Sequence, residues 1–352
     1  MIHQNLQAII LSDDLRADWV KRGRTLLESK VSTMIIMVDN PTWKEDLRAN
    51  LPSADLLLVA PWLTPDMFID EELLDVAPKL RAIAGTFDNR FTSFVSIESL
   101  RHRRIRLIDT SRSMTPSVAE FALTQTLNLL RDVPAAIALM RAGGWRRPWD
   151  TFGYIYGDLA GKKVGLAGYG SINRRYHELL RGFGCPTSVY DPTLDNAAAQ
   201  RLGLTYTSSL IELAAACEIF VVGIPPLKSS LRHVNKAVFD ALPVGGIFVL
   251  VSRMAVVDEP ALWDAVNTRK LRAAIDVFST EPVPPDAHYR FHPNVLTTPH
   301  IAGGAVYCHE RCFADACIDA LAVIAGGELR FEAAPVDASM YSGVDQSGRA
   351  QQ

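Results

Sequence analysis

The amino-acid sequence predicts an α/β protein built from two doubly wound domains, each with a mostly parallel sheet. The chain has 352 residues, which is more than one hydrophobic core usually organises. Short apolar runs alternate with amphipathic stretches of helical period, and they do so in two separate series. Alternation of this kind is typical of βαβ units, so each series predicts one parallel sheet with helices on its faces.

The first series extends from Asn5 to about Thr110. Its candidate strands are QAIIL, STMIIMVD, ADLLLVA, LRAIAG and IRLIDT. Amphipathic stretches lie between them, for example over residues 14–30, 42–50 and 94–104. The series therefore predicts five strands with connecting helices.

The second series follows a long apolar helix predicted over residues 116–131, which we expect to join the two domains. The segment RAGGWRRPWDTFGYIYG, which follows this helix, lacks a regular hydrophobic period and is interpreted as an ordered loop. Candidate strands then lie in KKVGLAGYG, TSVYD, EIFVVGIPP, GIFVLVSR, LRAAIDVF and NVLTTPHIAGG. Helices are predicted through Phe183, near Asn196, Lys236 and Pro260, and from Val306 to Gly326.

Composition and charge exclude several classes of protein. A net charge of -3 offers no basic field for nucleic acid, and the short run of arginines over residues 101–106 is interpreted as a solvated surface. No signal peptide and no apolar stretch of about 18 residues is visible, so no membrane partner is expected and the expected location is the cytoplasm.

Five cysteines are present and none forms a CxxC pair. Cys308, His309, Cys312 and Cys317 lie close together in the sequence, so a metal site has to be considered. We interpret these cysteines as reduced, mostly buried thiols, because a free cysteine commonly behaves as a small hydrophobic residue, and we expect no metal.

A dinucleotide site is predicted by the segment VGLAGYGSIN, which follows a strand and opens a helix. Gly168 allows the tight turn, and Gly170 lets the backbone approach a pyrophosphate at the helix N-terminus. Asn173 stands where a third glycine is usual. Asp191 ends the next strand at about the 20-residue distance where a carboxylate accepts hydrogen bonds from a ribose. No arginine follows it, which favours NAD over NADP.

Three ionisable residues lie at predicted carboxyl ends of elements of the second domain. They are Arg253, Glu281 and His300. Ligands of open α/β sheets bind at those strand ends, so the three are candidates for one catalytic site.

In this order, the fingerprint, SRMAVVDEPAL, AIDVFSTEP and NVLTTPHIAGG resemble the D-2-hydroxyacid dehydrogenase family, as do SVAEFALTQTLNLLR and GTFDN. The resemblance implies a flavodoxin-like substrate domain, residues 1–112 with 302–352, and an NAD-binding Rossmann domain, residues 113–301. It places the active site in the cleft between the domains and implies a homodimer. The reaction implied is hydride transfer between nicotinamide and C2 of a small 2-oxo or 2-hydroxy acid.

The resemblance also implies a role for each site residue. Arg253 orients and polarises the substrate, His300 is the general acid and base, and Glu281 completes the histidine–carboxylate pair. The loop residues expected to bind the substrate carboxylate through their amides are Thr86, Phe87 and Asp88. The residues expected to contact the cofactor are Gly168, Gly170, Ser171, Ile172, Asp191, Ile224, Pro225, Ser252, Asp276, His300 and Gly303.

The sequence departs from the family pattern at three positions. Asn173 and Met254 each replace a glycine, and Phe87 puts a bulky ring where small residues are usual, so modest turnover and an altered acyl pocket are expected. Small acids such as glyoxylate or hydroxypyruvate are favoured as substrates, and larger aryl pyruvates, formate and phosphite stay open. The alternative from another functional class is a protein of this fold that senses NAD(H), as the family's corepressors do.

Overall fold

The computed structural model describes residues 6–63, 68–87, 94–145 and 157–333. These residues divide into two compact units. Residues 6–114 and 304–333 belong to the first unit, and residues 115–303 to the second.

The first unit begins with a five-stranded parallel sheet and its connecting helices. Its elements are β1 (Gln7–Ser12), α1 (Ala17–Glu28), β2 (Ser32–Met37), α2 (Trp43–Asn50), β3 (Leu56–Val59), α3 (Glu71–Asp75), β4 (Ala82–Gly85), α4 (Ile97–Arg103) and β5 (Arg106–Asp109). The strand order is β2-β1-β3-β4-β5, and β1 pairs in parallel with both β2 and β3. This is the flavodoxin-like order, with its switch point between β1 and β3.

The second unit contains a seven-stranded sheet. Its elements are α5 (Thr115–Arg131), α6 (Val133–Arg141), β6 (Val164–Ala167), α7 (Ser171–Leu180), β7 (Thr187–Tyr190), α8 (Asn196–Arg201), β8 (Thr205–Tyr206), α9 (Leu210–Ala216), β9 (Ile219–Val222), α10 (Lys236–Ala241), β10 (Ile247–Leu250), α11 (Glu259–Thr268), β11 (Arg272–Ile275) and β12 (Val295–Thr297). The order is β12-β11-β10-β9-β6-β7-β8, with parallel pairing throughout. Two doubly wound parallel sheets confirm the predicted fold class.

The last helix, α12 (Val306–Ala325), returns the chain to the first unit. It packs against α1, and the two helices meet closely at Gly23, where a Cβ would lie 2.5 Å from the Phe313 ring. Cys308, Cys312 and Cys317 are buried in this helix and form no disulfide. The long final helix predicted from the sequence is therefore confirmed, and its cysteines belong to the core.

The strands were predictable because most are buried on both faces and are apolar along their length. Three short elements of the second unit, α6, β8 and α9, were missed. One of them carries a usable signal: Ser209 caps α9 by accepting from the Glu212 amide at 3.1 Å, within an S-x-x-E segment. The loop predicted at residues 141–157 lies mostly outside the described residues.

Candidate functional site

The predicted site residues of the second unit share one edge of its sheet. Each follows the carboxyl end of a strand: Gly168 after β6, Asp191 after β7, Ile224 after β9, Arg253 after β10, Asp276 after β11 and His300 after β12. Parallel strands bring these ends to the same edge, and the strand order reverses between β6 and β9. This is the place where open α/β sheets bind ligands.

The glycine loop begins at Gly168, whose φ of +82° lies in the left-handed region. A Cβ at Gly168 would lie 3.1 Å from the carbonyl oxygen of Gly223, so the protein itself requires a glycine there. Gly170 caps α7, and a Cβ there would meet nothing nearer than 4.0 Å. Packing within the protein therefore does not require a glycine at position 170. A group bound against the first backbone amides of α7 would require one, because a side chain at this position would stand in its way.

Asn173 is fully buried and is accommodated by a glycine on the facing strand end. A Cβ at Gly223 would lie 2.5 Å from Asn173 Nδ2, so the missing side chain at position 223 makes the space for the asparagine. Nδ2 donates to the Gly168 carbonyl at 2.7 Å, which ties the glycine loop to α7. A side chain at the third fingerprint position usually obstructs the packing of helix on strand, but here the absence of a side chain at Gly223 leaves room for Asn173.

Gly223→Ala is expected to weaken NADH binding by about tenfold, because the methyl group displaces Asn173 and the loop it holds. Asn173→Ala loses the 2.7 Å bond to the Gly168 carbonyl and the longer bonds to the Ala167 and Val221 carbonyls, and it should weaken binding by about fivefold. The double variant should match Asn173→Ala, since the methyl group then has room. Fluorescence titration with NADH measures all three variants, and a double variant weaker than Gly223→Ala contradicts the pairing.

The Asp191 carboxylate is fixed beside the glycine loop. Its Oδ2 accepts from the Tyr169 amide at 2.7 Å, and its Oδ1 accepts from the Thr193 amide and hydroxyl at 2.8 and 2.6 Å. Each carboxylate oxygen has about two acceptor positions, so Oδ2 keeps one of them. This position suits the hydroxyl of a ribose.

The walls of the candidate cofactor site include an unsatisfied group. Ser252 Oγ is buried without a hydrogen-bond partner among the described residues, next to Arg253, whose Nη1 donates to the Ser252 carbonyl at 2.7 Å. Ile224 and Pro225 follow β9 in the sequence; Ile224 is buried and Pro225 is exposed. A buried hydroxyl without a partner, an open glycine and a carboxylate with spare capacity together fit a bound dinucleotide.

His300 and Glu281 form a direct pair. His300 Nδ1 lies 2.7 Å from Glu281 Oε2, and Glu281 Oε1 accepts from the Phe278 amide at 2.8 Å. Burial tends to raise the pKa of Glu281, but the hydrogen bonds from His300 and Phe278 and the positive charges of His300 and Arg253 together lower it. The histidine itself is exposed and has a φ of +53°, a strained conformation that recurs at functional sites.

Asp276 holds the loop that carries His300. Its Oδ1 accepts from Thr298 Oγ1 at 2.6 Å and from the Ile301 amide at 3.0 Å, and its Oδ2 accepts from the Ala302 amide at 2.8 Å. Burial raises the pKa of Asp276 despite these bonds. The resemblance assigns this carboxylate to the cofactor, whereas the structure shows both of its oxygens bonded to residues 298–302.

In the first unit, the predicted substrate loop follows β4. The Phe87 amide donates to Asp109 Oδ1 at 3.1 Å, and the Phe87 ring stacks on Phe94 at 4.9 Å. Thr86 is buried, with its hydroxyl 2.9 Å from that of Thr110, and Asp88 lies outside the described residues. In this structure the Phe87 amide is engaged by Asp109, a residue that our sequence reasoning missed.

The described residues contain neither a candidate metal site nor a candidate membrane span. No group of three or more His, Cys, Asp or Glu side chains there is arranged to hold a metal ion. No helix in that part of the chain combines the length and the apolar character needed to cross a membrane.

The Glu281→Gln variant tests the pair through its pH dependence. Because the folded-state pKa of Glu281 is lowered, its contribution to stability is present above the usual pKa of 4.5 and is lost as pH falls through the folded value. The variant should be less stable than wild type by at most about 1 kcal/mol at pH 7, with the difference vanishing in acid. Urea unfolding at several pH values measures this. The exposed Glu178→Gln is the control, and a pH-independent difference contradicts the assignment.

The strand order, the glycine loop and the paired histidine define a dinucleotide-binding α/β protein with a histidine–carboxylate pair at the ligand edge of its sheet. The chain belongs to the D-isomer specific 2-hydroxyacid dehydrogenase family: the model of the family's NAD binding domain matches residues 123–302. NAD is therefore the cofactor of this domain.

Two relatives illustrate the range of the family. The chain is 31% identical to D-3-phosphoglycerate dehydrogenase of Mycobacterium tuberculosis over 82% of its own length and 52% of the relative. It is 30% identical to hydroxyphenylpyruvate reductase of Plectranthus scutellarioides over 67% of its own length and 73% of the relative. The chain spans about half the length of the phosphoglycerate dehydrogenases that it matches.

Solved structures show the same fold. The NADPH-dependent glyoxylate/hydroxypyruvate reductase from Sinorhizobium meliloti superposes with a TM-score of 0.73 at 26% identity, covering 94% of this chain and 98% of that one. The names of these relatives give different acids as substrates.

Proposed function

We propose that the protein is an NAD(H)-dependent 2-oxoacid reductase and D-2-hydroxyacid dehydrogenase, with small acids such as glyoxylate or hydroxypyruvate as substrates. The observation that carries this proposal is the His300–Glu281 pair, 2.7 Å apart, at the sheet edge that also holds Arg253 and the glycine loop. A protein that only binds NAD has no need for an acid–base pair at that edge.

The residues divide the chemistry between them. Arg253 is always charged, and its planar guanidinium binds the carboxylate and carbonyl oxygens of the substrate and polarises the carbonyl. His300, protonated and held by Glu281, gives its Nε2 proton to the oxygen at C2 as the negative charge develops there. The reduced cofactor, when bound, supplies the hydride. In the reverse direction the neutral imidazole accepts the proton from the hydroxyl.

The first unit is proposed as the substrate domain. The assignment of Thr86, Phe87 and Asp88 to the substrate carboxylate stays a prediction, as does a cytoplasmic location. NADH is preferred to NADPH because the Asp191 carboxylate would repel a 2'-phosphate. Formate and phosphite are the alternative substrates.

A panel of acids tests this proposal. NADH oxidation is followed by absorbance with glyoxylate, hydroxypyruvate, pyruvate and phenylpyruvate, and the panel is repeated with NADPH; NAD⁺ reduction is followed with formate and phosphite. Turnover of at least one oxo acid, faster with NADH, supports the proposal. Tight NADH binding without turnover of any acid overturns it and favours a sensor.

We also propose a homodimer formed through α6. This apolar helix, VPAAIALMR, has no buried residue, and Val133, Ile137 and Met140 are exposed on it. By contrast, α5, which carries the apolar stretch from Phe121 to Leu130, packs on α7 of the same unit. An apolar helix that the described residues leave uncovered suits a symmetric interface with a second copy.

Light scattering with size-exclusion chromatography tests the dimer. The wild type should have the mass of two chains, and Ile137→Glu with Met140→Glu should have the mass of one. Val244→Glu, at an exposed isolated valine, is the control and should leave the dimer intact. A monomeric wild type, or a dimer that survives the double substitution, overturns this proposal.

A further inference from the structure

A cavity of about 760 Å³ opens at the amino-terminal edge of the first unit's sheet. Its polar lining consists of five cationic side chains and one carboxylate: Lys79, Arg81, Arg103, Arg104, Arg106 and Asp55. The remaining lining is apolar and includes Leu80 and Val323. This volume lies in the usual range of small-molecule sites.

Within the first unit, the cavity is separate from the proposed substrate loop. Lys79 and Arg81 precede β4, whereas Thr86 and Phe87 follow it. A four-residue strand is about 13 Å long, so the two groups lie at opposite edges of the same sheet. The site proposed for the reaction therefore does not explain this concentration of positive charge.

Some of the cations are balanced by carboxylates. Arg81 Nε lies 3.3 Å from Asp55, Arg103 Nη2 lies 2.7 Å from Glu71, and Arg106 pairs with Glu332. Within the described part of the chain, Lys79 and Arg104 have no such carboxylate partner. Two uncompensated cations thus remain beside three paired ones, although the whole chain carries a net charge of -3. Their mutual repulsion is relieved when an anion binds.

Arg104 is also notable for its backbone. It ends α4 with a φ of +58°, the left-handed conformation that favours glycine at helix ends. Arg104 therefore has a long charged side chain at a position where the backbone conformation favours glycine. This makes Arg104→Gly a favourable probe, because the substitution removes the charge and relaxes the backbone together.

We propose that this cavity binds a small polyanion with at least two phosphoryl groups in a chain. Lys79 and Arg104 supply the free positive charge, and Arg81 and Arg106, held by their carboxylate partners, direct further N–H groups at the ligand. The apolar part of the lining accepts an uncharged portion of the ligand. The phosphoryl chain belongs either to free polyphosphate or to a nucleotide, and the two are distinguished by experiment.

Calorimetric titration of the full chain with tripolyphosphate and with ATP tests the proposal, in the presence of saturating NADH so that the glycine loop is blocked. Wild type should bind one equivalent. Lys79→Ala with Arg104→Gly should weaken binding by tenfold or more. Equal affinity for both probes identifies the phosphoryl chain alone as the ligand, and tighter binding of ATP identifies a nucleotide.

The matched control is Arg101→Ala with Lys270→Gly. Arg101 lies on the same helix but outside the cavity lining, and Lys270 has a similar left-handed φ of +53° in the other unit. The control has the same net charge as the test variant and should bind as wild type does. The proposal is overturned if wild type binds neither probe, if the test variant binds as tightly as wild type, or if the control weakens equally.

Discussion

His300→Ala is expected to lower kcat for reduction of the preferred oxo acid by about 10²- to 10⁴-fold. The variant loses the proton donor that Glu281 holds in place, so negative charge develops on the substrate oxygen without neutralisation. The dissociation constant for NADH should change by less than about twofold, because the residues proposed to bind the dinucleotide are untouched. Steady-state absorbance and fluorescence titration measure the two quantities.

His102→Ala is the control for this prediction. His102 is exposed on α4 of the first unit and is none of the residues proposed for the reaction. Its kcat should equal that of wild type. A His300→Ala variant that retains more than about a tenth of wild-type kcat would remove His300 from the role of general acid.

Arg253→Lys is expected to lower kcat/KM for the oxo acid by about 10²-fold or more. Lysine keeps the positive charge but lacks the planar fork that binds two oxygens together, so the loss measures geometry and not charge. Affinity for NADH should be nearly unchanged. Arg201→Lys, at the end of α8, is the matched control and should behave as wild type.

Two outcomes separate the possible roles of Arg253. A loss confined to KM indicates that the guanidinium binds substrate and transition state equally, whereas a loss in both kcat and KM indicates polarisation of the carbonyl. We expect a loss in both kcat and KM. If Arg253→Lys keeps full kcat/KM, bidentate recognition by Arg253 is wrong.

The parallel sheets and the edge that carries the site were predictable from the sequence. Buried strands such as Ile219–Val222 are apolar along their whole length. In a parallel sheet, the residues that follow the carboxyl ends of the strands all lie at one edge. The positions of Gly168, Arg253 and His300 follow from those two facts alone. The family resemblance added the roles of the residues and the pairing of His300 with Glu281.

Other features depend on contacts between distant segments, which a single sequence does not show. Asn173 fits only because Gly223 faces it from another strand, 50 positions further along the chain. Asp276 reaches the His300 loop across a separation of 25 residues to Ile301. The engagement of the Phe87 amide by Asp109 likewise depends on the pairing of β4 with β5.

Deuterium transfer tests the central claim most directly. NADH labelled with deuterium on the transferred position of the nicotinamide is incubated with wild type and the most active oxo acid, and the product is examined by mass spectrometry and NMR. We predict one deuterium at C2 of the hydroxy acid, with transfer slowed in His300→Ala by the same factor as kcat. NADH that binds tightly while the acid is recovered unreduced and unlabelled would contradict a reductase.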